Sequence, residues 1–515
     1  MPLPDRGAAW PPPELETVYD TYRQWDAWYV GDPDGLRSYY GSGVPAAASR
    51  GGIVGALARW FWGRPNEATQ TSDNRLHVPV AADIAMTSAD LLFGEQVDFA
   101  SEDQAAADRL TEIADDGMHA TLVEAAEVAA ALGGVYLRVA WDSTLADAPW
   151  LSAVHPDAAV PEWRWGKLAA VTFWRVVAKL DGDRVLRLLE RHEPGRIEYG
   201  LYEGGKGELG RRVPLTEHPG TAGLAQVVDA SSGVGTGAEK RMTAVYVPNV
   251  RPSRRWRNNP GAAHLGRSDL DGIEHLMDAL DETYSSWMRD IRLGKGRILV
   301  PDYMLQSNGR GQGASFNLDR EVFVGLNVEP GKGSTQGIEA QQFEIRVEEH
   351  RDTAQDLLEK ILRTAGYSAQ TFGMMGDVAI TATEVQARER RSYMTRDKKI
   401  RYWRPALAYI LESLLAVDRA QFGSKVSEGA QVTAHFPDGV SDSIGTLAQT
   451  ANLLTQAEAA STQTLVEMLH PDWDETQVRD EVERIQAQTG RAVTDPGTFT
   501  GDVGGGGDDE PPPEE

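Results

Sequence analysis

The sequence predicts an α+β chain, and three observations carry that prediction. Between Val135 and Tyr202 apolar and polar residues alternate in several short runs, the period of half-buried strands. From Leu270 to Ile291 apolar residues recur in steps of three and four, the period of a helix packed along one seam. After Thr381 a run of helix formers continues to about Asp418.

The 515 residues allow two to four domains. With 41% hydrophobic and 25% charged residues the chain is globular rather than wholly disordered. No window approaches eighteen uninterrupted apolar residues, so no membrane span is expected. The start, Met1 to Trp10, has no apolar run and predicts no secretory signal. The absence of cysteine removes disulfides, thiolate metal sites and cysteine nucleophiles together.

Residues 1–50, rich in Pro, Gly and Tyr, read as an extended arm with one short helix near Leu15 to Ala27. The stretches Ile53 to Trp62 and Leu76 to Leu92 are helix-compatible, broken by Pro65 and Pro79. An alanine-rich helix spans Asp103 to Leu132 and stops at Gly133-Gly134. Strands follow at Val135 to Trp141, Ala170 to Leu180, Val185 to Arg191 and Ile197 to Tyr202. After a glycine-rich loop from Gly204 to Gly237, one more strand covers Thr243 to Val250.

The most legible helix opens at Ser268, a plausible N-cap, with Asp271 in its first turn. Its seam is Leu270, Ile273, Met277, Leu280, Tyr284, Trp287 and Ile291, a seven-residue pattern that packs lengthwise on other helices. A rod from Asp269 to Ile291 is roughly 34 Å long at about 1.5 Å per residue. Gly294 and Gly296 end it. From Arg297 to Phe343 come short strands, Ile298 to Val300 and Val322 to Val324, among glycine-rich turns. A second helix, Val347 to Ala365, is closed by Gly366. A loop to Thr381 then carries Gly366, Gly373, Gly376 and the pair Met374-Met375. Thr381 and Glu384 form a capping box for the long helix, in which Pro405 predicts a kink. A strand at Val432 to Phe436 and helices at Ser443 to Ala460 and Thr476 to Gln488 complete the order.

Charge is uneven. The formal net charge is −26, and seven acids with no base fall between Asp495 and Glu515, a segment that reads as a solvated tail. An acidic chain ordinarily repels nucleic acid. Two runs oppose the trend: eight bases and two acids in 388–404, and four bases and one acid in 289–297. Arg388, Arg391, Lys398 and Arg401 share roughly one helix face. They either pair with acids such as Glu384 or present a phosphate-facing band, and the acidic surplus favours pairing.

Enzyme readings find no support. Gly325 to Ser334 has five residues between its glycines and Gly333 after Lys332, which breaks the phosphate-loop pattern. His155 and His192 have no second histidine at metal spacing, and there is no G-x-S-x-G elbow. Trp60, Trp62, Trp163, Trp165 and Trp174 sit in contexts that suggest core packing rather than a sugar site. No catalytic, metal or cofactor residue is expected.

The order of parts is the informative signal. Leu76-His77-Val78-Pro79-Val80-Ala81-Ala82-Asp83-Ile84-Ala85 and Ser88-Ala89-Asp90-Leu91-Leu92-Phe93-Gly94-Glu95 resemble the front of portal proteins from tailed double-stranded DNA phages. Gly266-Arg267-Ser268-Asp269-Leu270 through Asp278-Ala279-Leu280-Asp281-Glu282 looks like that family's first stem helix. Thr381-Ala382-Thr383-Glu384-Val385 is similar to the segment after its tunnel loop. The anchors span roughly residues 50 to 420; the first fifty residues and the tail match nothing.

The resemblance implies a portal fold: an arm (1–50), a mixed α/β wing (51–265), a stem helix (266–294), a small β-rich clip (295–343), a second stem helix (344–366), a tunnel loop (367–381), a long kinked wing helix and strand (382–440), a helical crown (441–490) and a disordered acidic tail (491–515). It further implies a ring, usually of twelve copies, in the virion at one capsid vertex, assembled in the host cytoplasm. Through it the genome is packaged by the large terminase and later ejected. The other partners would be capsid or scaffold protein, a head-completion protein, and DNA held by backbone contacts without base reading; no membrane is involved. In that frame Thr371, Phe372, Gly373, Met374, Met375 and Gly376 would face DNA. Arg289, Arg292, Lys295, Arg297, Arg388, Arg391, Lys398 and Arg401 would line the channel or join subunits, and the seam Leu270 to Ile291 would pack between subunits. The competing expectation is an oligomeric virion or scaffold protein without a DNA channel.

Overall fold

A computed structural model describes residues 3–40, 75–229, 233–293, 345–374, 382–437, 444–457, 459–470, 473 and 475–489, with the short strands 297–299, 306–307, 314–315 and 339–341. The chain divides into two units, Met1–Pro437 and Asp438–Glu515. The mixed α+β class expected from the sequence is what the structure has.

In the first unit helix α1 (Glu16–Val30) comes first. It is not part of an extended arm. Tyr22, Trp25 and Trp28 are buried in the main core, because an arm this rich in aromatics gains more from burial than from solvation. Helix α2 (Val80–Phe93) starts directly after Pro79, and strand β1 (Asp98–Ala100) follows it. The alanine-rich stretch is two helices, α3 (Gln104–Ile113) and α4 (His119–Leu132). They are separated where Asp116 and Gly117 leave helical geometry, Gly117 at φ 87°.

Helix α4 packs on α2 and on a three-stranded antiparallel sheet, which follows in order β10 (Ala244–Pro248), β2 (Gly134–Ala140) and β3 (Trp150–Val154). A second antiparallel sheet runs β4 (Ala159–Arg164), β5 (Lys167–Lys179), β6 (Val185–Glu193), β7 (Arg196–Gly204) and β8 (Arg211–Val213), with β9 (Gly233–Gly235) also on β7. Strands β3 and β4 had no sequence signal of their own, and the stretch 204–237 holds strands and single helical turns as well as loop.

The lengthwise helix α5 (Glu274–Leu293) starts one turn later than expected, since residues 269–273 form turns. Its antiparallel neighbour α6 (Val347–Ala365) ends at Gly366, whose φ of 106° no ordinary side chain tolerates well. Between them lie two strand pairs, β11 (Arg297–Leu299) with β14 (Glu339–Gln341) and β12 (Gln306–Ser307) with β13 (Ala314–Ser315). The expected strand at Val322 to Val324 and the phosphate-loop lookalike lie outside the described residues. So do Ile53 to Trp62 and the acidic tail. Helix α7 (Ala382–Phe422) runs through Pro405 for about 61 Å at about 1.5 Å per residue. Strand β15 (Thr433–His435) then returns to pair with β1.

The second unit holds α8 (Ile444–Gln456), α9 (Thr462–Leu469) and α10 (Glu475–Thr489), with Ala451, Val466 and Val478 buried. Helix α9 lies between the two helices expected from the sequence. Ser461 caps it, its hydroxyl accepting from the Thr464 amide at 3.2 Å.

Candidate functional site

The paired helices α5 and α6 are rooted in the first unit by one buried polar node. The last turn of α4 leaves carbonyl groups without helical partners. The Ser268 hydroxyl donates to Ala131 at 2.6 Å and the Asp269 amide to Ala130 at 3.0 Å. This close approach is why Gly133 (φ 85°) must be glycine, since a Cβ there would stand 2.9 Å from the Ser268 nitrogen. Asp269 is thereby fixed at the foot of α5. One of its carboxylate oxygens accepts from Asn249 at 2.8 Å; the other accepts from the Tyr367 hydroxyl at 2.7 Å and from Lys399 Nζ at 2.5 Å. Lys399 also donates to Ser88 at 2.6 Å and contacts the Tyr367 hydroxyl at 2.9 Å.

Lys399, Asp269 and Tyr367 are all buried. Desolvation pulls the Lys399 ammonium below the usual lysine range, opposed by Asp269, while desolvation and the Asp269 charge push the Tyr367 phenol up. Six segments meet here: α2, the last turn of α4, the residue after β10, the foot of α5, the loop after α6, and α7. Lys398 is exposed on the basic face expected from the sequence, whereas its neighbour Lys399 is buried and was not among the expected site residues. Its signal was spacing. Lys399 shares a face with Ser392, Arg396 and Trp403, all buried, at steps of four, three and four.

The structure corrects the seam. Leu270, Ile273, Met277 and Leu280 are buried within the single chain, so they are core of the subunit and unavailable to a neighbour. Tyr284 and Trp287 are half-buried, the Trp287 ring stacking on His350 of α6, and Ile291 is 38% exposed. Only the far half of the helix leaves the core. There Asp290 accepts from His350 and Arg346, both at 3.0 Å, and these bonds hold its carboxyl below the usual range. The front of the chain clasps the near half. Trp25 donates to Glu274, Arg75 pairs with Asp278 and Glu282, and the buried Asp281 accepts from Tyr40, the Val78 amide and the His77 ring.

Of the basic residues singled out, Arg289 and Arg292 are exposed near the end of α5, and Arg391, Lys398 and Arg401 share the exposed face of α7. Arg391 donates to the Arg363 carbonyl at 2.6 Å, in the last turn of α6. The side chains of Arg297 and Arg388, the pairing candidate Glu384, and Lys295 lie outside the described residues. In the loop after α6, hydroxyls of Ser368, Thr371 and Ser392 join at 2.7 to 3.3 Å and tie the first half to α7. Phe372 packs edge-on against Tyr367 and, like Met374, lies partly buried on the core; Gly373 is exposed at φ 72°. Met374 is therefore packed inward rather than free at the tip. Met375 and Gly376 are outside the described residues.

One tryptophan departs from expectation. Trp163 and Trp174 pack on neighbouring rings, but Trp165 is 98% exposed. Trp60 and Trp62 are not among the described residues.

The described residues thus form a pair of long helices rooted in an α+β body through a buried polar node. A family model described as phage portal protein, SPP1 Gp6-like, matches residues 206–495, more than half of the chain. The chain belongs to that family, a structural and non-enzymatic one, and is a phage portal protein of the virion. No curated protein matches it. Among solved structures it is similar to a chain of the "Neck of native GTA particle computed with C12 symmetry", at 14% identity and a TM-score of 0.35, covering 86% of this chain and 98% of that one. No helix among the described residues is long and apolar enough to cross a membrane.

Proposed function

We propose that copies of this chain close into a ring, of about twelve by family resemblance, whose central opening conducts double-stranded DNA during packaging and ejection. The observation that carries the reading is the projection of α5 and α6 beyond the core. Its near half is locked inside the subunit by the Asp269–Lys399 pair, and its far half presents Tyr284, Trp287 and Ile291. Such a rod has side chains left over for neighbours around an axis.

Residues 295–343, between the two helices, serve as the clip to which the large terminase and then the head-completion protein dock. The loop 367–381 faces the duplex, and residues 441–490 form the crown; the outer wing meets capsid or scaffold protein. A net charge of −26 per copy suits transport, because a wall that neutralised many phosphates would release counterions, bind tightly and stall the duplex. Contacts from Arg391, Lys398 or Arg401 would be to backbone only, without base reading.

Negative-stain averages of the purified chain viewed down the axis test this. The expected image is a ring with an opening wider than a duplex. A closed disc, or an opening too narrow for DNA, would make the chain a virion protein that conducts nothing.

A further inference from the structure

Helix α8 carries no charged side chain in its 13 residues, and the uncharged run extends from Ser443 to Ala457. In a chain that is 25% charged, a helix of that length ordinarily carries several charges on the face turned away from its packing partner. Helix α10 follows that rule, with Glu475, Arg479, Asp480, Glu481, Glu483 and Arg484 along it. On α8 the inward side is marked by Ala451, which is buried, and Leu454, which is half-buried. Leu453 points to another side and is 65% exposed. Thr450 and Gln456, three residues before and after it, are exposed on the same face. The outer face of α8 is therefore neutral, with one large apolar side chain at its centre.

The second unit also has little core of its own. Among its described residues only Ala451, Val466 and Val478 are buried. A unit this small is ordinarily stabilised by disulfides, by a structural metal or by association. The chain has no cysteine, and no metal-binding cluster occurs among the described residues. Association is the remaining route. The chemistry of α8 suits a second copy of itself. Charged groups repeated on identical copies would face their own sign, and loss of charge is what distinguishes the centre of an interface. Amides and hydroxyls both donate and accept, so a neutral face can bond to its own kind. Gln456 donates to Asn452 at 3.2 Å, and the two amides still hold further donors and acceptors for a neighbour.

We propose that the outer face of α8, centred on Leu453, packs against the second unit of the next copy, and that this unit reaches its full order only when copies associate. Leu453 contributes the apolar burial, while Thr450, Asn452 and Gln456 fix the register through neutral hydrogen bonds. The charged helix α10 is left as the solvated side of the unit. The proposal rests on the ring reading above and adds the helix through which the C-terminal units of its members meet.

The test uses the purified full chain with no other virion protein present. Amide hydrogen exchange is followed in assembled rings and in the same chain diluted below its assembly concentration. Residues 444–456 should exchange slowly in rings and quickly in the single subunit, while the first unit's sheets stay protected in both. Protection of 444–456 already present in the single subunit would overturn the proposal, because the chain would then cover α8 by itself. Fast exchange in intact rings would overturn it too and assign α8 to a different protein. Both results leave the ring reading standing. Leu453→Asp is the second measurement: the concentration needed for rings should rise by about tenfold or more, with the melting of the first unit unchanged. Rings of Leu453→Asp that form as in wild type would sink the contact. A wild-type chain that stays monomeric at every concentration would remove the ring reading first, and this contact with it.

Discussion

At the scale of single residues, the node around Lys399 sets the sharpest expectation. Burying an ammonium and a carboxylate is costly, and removing one partner leaves the other unpaired. Lys399→Met should therefore destabilise the chain by about 3–5 kcal/mol in denaturant titrations, and adding Asp269→Asn should recover part of that loss. Full additivity of the two changes would mean that the pair is not coupled. Asp290 gives a pH-dependent counterpart. Its carboxyl is held low by bonds from His350 and Arg346, so the unfolded chain takes up the proton more readily. The stabilisation is present above the ordinary carboxylate range near 4 and is lost as pH falls through the lowered value. The melting-temperature gap between wild type and Asp290→Asn should be steady at neutral pH and shrink in acid. A gap that widens in acid would contradict the assignment.

At the scale of elements, a repeating apolar pattern reports that a face is buried and is silent about what buries it. The seam from Leu270 to Ile291 was plain in the sequence. Whether a neighbour or the chain itself covers it depended on α1, α2 and α7, which lie far away along the chain and reach it only through tertiary folding. Met277→Asp should accordingly unfold the subunit, by placing an unpaired charge in the core. Ile291→Asp should leave the melting temperature within about 1 °C and weaken assembly on size exclusion, as expected for an exposed position. Equal effects of the two would put the whole seam in one environment. Strands β5, β6 and β7 and helices α5, α6 and α7 were legible because each is long and periodic. Strands β3 and β4 were not, because Pro156 and Pro161 interrupt short mixed-polarity runs. The break between α3 and α4 turns on one glycine, Gly117, in a window that is otherwise alanine-rich.

At the scale of the whole molecule, the charge reading and the basic runs separate two jobs that the sequence ran together. Within 388–404 the cations divide between faces of one helix. Arg396 and Lys399 are buried, Arg396 donating to the Leu91 and Pro437 carbonyls, while Arg391, Lys398 and Arg401 point outward. The net count alone could not divide them. The pairing of Asp269 with Tyr367 has a further consequence, one of ancestry and engineering. These two residues lie on either side of the entire excursion through α5 and α6, yet their side chains touch at 2.7 Å. The chain leaves its body and comes back through one doorway, so the distal segment is a closed insertion. Its entropic cost grows only slowly with length. Evolution can therefore lengthen, trim or exchange that segment while the root of the two helices stays closed. A designer could graft a foreign docking module at the same place.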